Sequence, residues 1–170
     1  MRTTGRSGYT MIEIVMVMLV MGILAAVAAP RYSSSTARFR VEAAARRIVS
    51  DLNYVRLRSK MTGSASAGWI NFFPLTEEYS LSGTPDPNHP DQEYWVNLAK
   101  TSYPVDLVSV AFTNTNSATT GQTMQFDMHG SPWAVAGQLA RLASGQITIA
   151  SGSEQRVVVI DPVTGKASIQ

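Results

Sequence analysis

The sequence predicts an α+β protein, in which one long N-terminal helix packs on a C-terminal head of antiparallel β-strands. An uncharged apolar run over residues 14–29 predicts the first half of the helix. A stripe of apolar residues at helical spacing over residues 41–59 predicts the second half. From residue 67 the apolar pattern changes to a period of two, which is typical of strands. No crossover helix separates these strands, so we expect antiparallel connections.

The apolar run is the most informative segment of the chain. Residues 14–29 contain no charged residue, no proline and a single glycine. As a helix they would extend roughly 24 Å, and with residues 9–12 they are long enough to cross a membrane core of about 30 Å. Glu13 stands at the start of this run, where a carboxylate costs roughly 3 kcal/mol on insertion scales and marks a functional position by default. The structural alternative is that Glu13 reaches the membrane interface or is protonated in lipid.

The charges are distributed unevenly along the chain. The formal net charge is +2, but residues 31–60 alone carry +6 and residues 61–170 carry −5. A basic stalk is therefore followed by an acidic head. The absence of cysteine excludes disulfides, thiol catalysis and cysteine-based metal sites.

Residues 1–8 are short, basic and polar, like the first region of an export signal. A conventional signal peptide would be cleaved after the small residues 26–28, and a plain membrane anchor would not be cleaved. The position of Glu13 and the proline at position 30 argue against conventional cleavage. Both alternatives stay open at this point.

Residues 8–14, Gly-Tyr-Thr-Met-Ile-Glu-Ile, resemble the leader junction of type IV pilins and type II secretion pseudopilins. The glycine, isoleucine and glutamate match that family, whereas Tyr9 replaces Phe and Met11 replaces Leu. Pro30 also stands where the family has a proline. The resemblance implies cleavage between Gly8 and Tyr9 by a membrane prepilin peptidase, followed by methylation of the new amine on Tyr9.

The resemblance also implies a role for Glu13. In this family the glutamate is thought to meet the terminal amine of a neighbouring subunit during assembly. An isolated carboxylate in an apolar filament core needs such a partner. Pairing would favour one axial register of the subunits, because other registers leave both charges unpaired.

The predicted organisation has four parts. Residues 1–8 form the leader, 9–30 the transmembrane and filament-core helix, 31–62 an amphipathic stalk, and 63–170 the β-rich head. Pro30 is expected to kink or interrupt the helix, because it lacks the N–H of an i→i−4 bond. Gly63, with Ser64 and Ser66, is expected to end it. The buried stripe of the stalk is predicted to comprise Val41, Ala45, Ile48, Leu52, Val55 and Ser59.

The head is predicted to contain short strands separated by turns. Residues 83–91 form a loop with three prolines, residues 114–121 a polar turn, and residues 161–165 a hairpin loop. The predicted strands are residues 68–73, 78–81, 94–98, 107–113, 123–128, 146–150, 156–160 and 166–169.

The C-terminal segments 126–130, 145–149, 156–160 and 165–169 are similar in order to the H-type minor pseudopilins, the GspH/FimT-like group. Some relatives in that group bind DNA during uptake, and the basic stalk allows the same interpretation here. A solvated helix face, or one that meets anionic lipid, is the structural alternative. The acidic head and the lack of interleaved aromatic and basic residues at the C-terminus argue against a DNA partner on sequence grounds.

No pattern indicates an enzyme or a cofactor. Asp127 and His129 would share a strand face, but two ligands do not make a zinc site, and a surface pair is expected. Asp86, Asp91 and Glu93 match no recognised calcium loop. Core or edge packing is expected for the three tryptophans, Trp69, Trp95 and Trp133.

The sequence therefore predicts a structural subunit of a type II secretion pseudopilus or type IV pilus-like filament. We expect a single-pass inner-membrane protein whose head lies in the periplasm before assembly. The expected partners are other pilin subunits, prepilin peptidase, inner-membrane lipid and, in a secretion system, exported cargo. Two alternatives remain: a FimT-like DNA-uptake pilin, and a conventionally secreted or anchored β domain that binds a ligand.

Overall fold

A computed structural model describes residues 9–63, 68–86 and 89–170 of the chain. The predicted leader, and Ser64 and Ser66 after the helix, lie outside these ranges. Helix α1, Met11–Thr62, contains 52 residues. The chain divides into two compact units, the first ending at Thr36 and the second comprising Ala37–Gln170. Each of the two units therefore holds part of α1.

The described part of the head contains ten strands and one 3₁₀ turn, Leu98–Lys100. The strands are β1 Trp69–Phe73, β2 Glu78–Pro85, β3 Glu93–Asn97, β4 Asp106–Asn114, β5 Ser117–Gly121, β6 Thr123–Phe126, β7 Pro132–Ala136, β8 Gln138–Ser151, β9 Glu154–Ile160 and β10 Ala167–Ile169.

Every pairing between these strands is antiparallel. The main order across the sheet is β10-β9-β8-β7-β6-β1-β2-β3, and β4 pairs with both β8 and β5. The long strand β8 pairs through its first residues with β7 and through its later residues with β9 and β4. The predicted α+β class, with a long helix and an antiparallel head, is confirmed.

The core of the second unit lies between α1 and one face of the sheet. All six positions of the predicted stripe are at most 1% exposed, and apolar residues from nearly every strand join the stripe's apolar members in one cluster. Helical periodicity explains this result, since residues three and four apart share one face. The helix ends before Gly63, whose φ of +62° suits a glycine at the C-terminal cap.

Two sequence predictions for the head are wrong: the polar turn predicted at 114–121 contains β5, and β2 continues to Pro85, into the loop predicted at 83–91. The sequence predicted no strand between residues 128 and 146, where the structure has β7 and the start of β8. Pairing with neighbours explains β5, which is held by β4, and β7, which is held by β6 and β8. Tertiary pairing here outweighs local turn propensity.

The tryptophans do not lie in the core. Trp69 and Trp133 are half-buried on the sheet face that points away from α1, so core packing is wrong for both residues. Trp95 lies on β3, at the end of the main strand order, and stacks on Phe73 with ring centroids 5.3 Å apart. Edge packing is therefore confirmed for Trp95.

Candidate assembly surface on the N-terminal helix

The first turn of α1 begins with a side-chain cap. The backbone N–H of Glu13 donates to the hydroxyl Oγ1 of Thr10 at 3.3 Å and to the Thr10 carbonyl at 3.1 Å. Thr10 therefore occupies the N-cap and Glu13 the third helical position, in the order Thr-x-x-Glu of a capping box. A carboxylate in this turn also interacts favourably with the helix dipole.

The side chains around Glu13 form one face of the helix. Glu13 lies in a shallow groove with Tyr9 on one side and apolar residues on the other: Ile14, Val17, Met18 and Met21. Spacings of three and four residues place them on the same side of α1. The carboxylate therefore has an apolar surface next to it and an aromatic residue at the very start of the described chain.

The side chains of residues 11–26 are exposed in the isolated chain. The most apolar window of α1 has a mean hydropathy of 2.6, and none of that window is buried. The helix is long and apolar enough to cross a membrane. An exposed apolar surface of this size indicates a contact with lipid, with other helices, or with both.

Several predicted site residues can now be placed. Tyr9 is 80% exposed, directly before the cap, and it shares a groove with Glu13. Gly8 lies outside the described residues. The helical segment includes position 30, so α1 is not interrupted there, whereas a kink at Pro30 stays a prediction. Cleavage, methylation and the pairing of Glu13 also stay predictions.

Several arginine side chains of the basic stalk form hydrogen bonds with the head. Arg56 donates to the carbonyl of Gly130 at 3.3 Å, and Arg58 donates to the Thr84 hydroxyl. Arg47 donates to the Tyr94 hydroxyl at 3.1 Å. Three guanidinium groups of the stalk therefore help to hold α1 on the sheet.

A polar cluster missed by sequence reasoning lies beside these contacts. The Tyr79 hydroxyl donates to the Asp51 carboxylate, whose nearest cation is Arg47 at 4.0 Å. Burial raises the pKa of Asp51, although the Tyr79 hydrogen bond and Arg47 oppose that change. Burial also raises the pKa of Tyr79 well above its usual value. The cluster joins α1 to β2 and borders a pocket of about 250 Å³.

Asp127 organises the turn after β6. Its Oδ1 accepts the backbone N–H groups of His129 at 2.9 Å and Ser131 at 2.8 Å, and its Oδ2 accepts the Trp133 indole N–H at 3.4 Å. Burial acts to raise the pKa of Asp127, but these hydrogen bonds outweigh it and lower the pKa. The predicted shared strand face is wrong, because β6 ends at Phe126 and both Asp127 and His129 lie in the turn that follows.

The lowered pKa of Asp127 predicts a pH dependence of stability. The carboxylate stabilises the fold fully above its unfolded pKa of about 3.9, and this contribution is lost as the pH falls through the lower folded pKa. We expect Asp127→Asn to cost about 1 kcal/mol at pH 7 and to flatten the decline in stability below pH 4. Reversible unfolding of both chains across pH 2–7 measures this difference. Parallel pH profiles would contradict it.

The described residues contain no group of three or more His, Asp or Glu side chains placed to hold a metal ion. Asp86 directly follows β2, Asp91 lies in the turn before β3, and Glu93 is the first residue of β3. The first unit presents an apolar helix surface that bears one carboxylate, that of Glu13. In the second unit, the sheet packs on a helix.

Comparison with known proteins agrees with this description. The chain is 29% identical over 134 residues to the type IV major fimbrial protein FimA of Dichelobacter nodosus. The similarity covers 74% of this chain and 77% of that protein. It supports a type IV pilin-like family for the chain. No protein-family model matches the sequence. No solved structure matches it at the same level of significance.

Proposed function

We propose that the chain is a structural subunit of a type IV pilus-like or type II secretion pseudopilus filament. The observation that carries the proposal is helix α1, whose exposed apolar half bears the lone carboxylate of Glu13 and continues into the helix of the β-rich head. The similarity to a type IV major fimbrial protein supports the same class. Within the class, the order of the C-terminal segments favours a minor subunit of the H type.

Maturation follows from the leader junction. Prepilin peptidase cuts between Gly8 and Tyr9, and the new amine of Tyr9 is methylated. The apolar half of α1 stays on the mature chain and anchors it in the inner membrane with the head in the periplasm. A candidate membrane helix near the N-terminus and the fimbrial relative both fit this location.

Assembly uses the surface around Glu13. In a filament, the apolar groove that borders Glu13 is covered by neighbouring helices. The carboxylate then meets the terminal amine of Tyr9 from an adjacent subunit, because a buried charge without a partner is strongly destabilising. The capping role of Glu13 in its own helix is compatible with this pairing, since the two roles use different groups: the cap uses the backbone N–H.

The proposed role of the protein is therefore structural. Its partners are other pilin subunits, prepilin peptidase during maturation, membrane lipid before assembly and, in a secretion system, exported cargo. The guanidinium groups of Arg47, Arg56 and Arg58 have partners in the head, which argues against a DNA-binding stalk. No catalytic step is assigned to any residue.

Recovery with filaments tests this function. Cells that express the chain are sheared, and the filament fraction is probed for it beside cells that lack prepilin peptidase. We expect the chain in the filament fraction of the first strain and an unprocessed, membrane-bound chain in the second. Release of a soluble head in both strains would instead indicate a conventionally secreted domain.

A further inference from the structure

We draw no further inference here: the strongest candidate, the exposed apolar stripe of Tyr54, Leu57 and Met61 on the side of α1 that faces away from the sheet, carries none, because nothing in the structure shows what covers it.

Discussion

Glu13→Gln is expected to reduce incorporation into filaments by a factor on the order of 100. The substitution removes the charge but keeps a side chain that suits the third position of a capping box. If the carboxylate pairs with the amine of a neighbouring Tyr9, its loss leaves that amine unpaired in an apolar core. Breaking a buried pair costs about 3–5 kcal/mol, and each 1.4 kcal/mol changes an equilibrium by about tenfold.

The measurement is the amount of chain in sheared filaments relative to the amount in membranes. Thr10→Ala is the matched control, because it removes the capping hydroxyl that Glu13 N–H uses and leaves the carboxylate in place. We expect membrane insertion and cleavage to be normal for both variants, and incorporation to be impaired for Glu13→Gln alone. Equal incorporation of Glu13→Gln and the original chain would show that assembly does not need the carboxylate.

Leu52→Ala is expected to destabilise the head by about 2–5 kcal/mol, as other leucine truncations in packed cores do. Leu52 is 0% exposed in the middle of the stripe that α1 buries against the sheet. Its removal leaves a cavity between the helix and the strands. This loss lowers the Tm by about 10 °C or more.

The chain supplies a control on the same helix. Leu57 is 56% exposed, five positions further along α1. Leu57→Ala makes the same chemical change with the same effect on helix propensity, so its cost should stay within about 0.5 kcal/mol. Thermal unfolding of both full-length variants, followed by circular dichroism, compares them. Similar losses of Tm would show that the helix is not packed as described.

The helix was predictable in detail because one pattern determines it. The spacing of Val41, Ile48 and Leu52 is enough to define a buried face, and all three are at most 1% exposed. The cap at Thr10 was also open to prediction, since Thr-x-x-Glu is a known start signal. The capping box was missed because Glu13 was considered only as a charge in a membrane helix.

The strands that escaped prediction depend on partners distant in sequence. β5 consists of Ser, Ala, Thr and Gly, a composition typical of turns, and exists through its pairing with β4. β7 begins with Pro132, and a proline normally argues against a central strand because it lacks the backbone N–H of the ladder. Only Gln146–Ala150 of the 14-residue β8 has a strong strand pattern. Local propensity does not contain this information.

The polar contacts of the head were hidden for the same reason. Asp51 and Tyr79 are 28 positions apart, and nothing in either local sequence indicates their hydrogen bond. The register of the strands shows this limit most clearly. The alternation around Trp69 was visible, but its alignment with Gln125 and Trp133 depends on the register of three strands.

The mass of the N-terminal peptide tests the central claim most directly. The chain is isolated from the filament fraction, digested and analysed by mass spectrometry. We predict a mature N-terminus at Tyr9 that carries one methyl group on its amine. A chain that begins at Ala29, or that retains residues 1–8, would contradict the proposed processing and with it the proposed place of this protein in a filament.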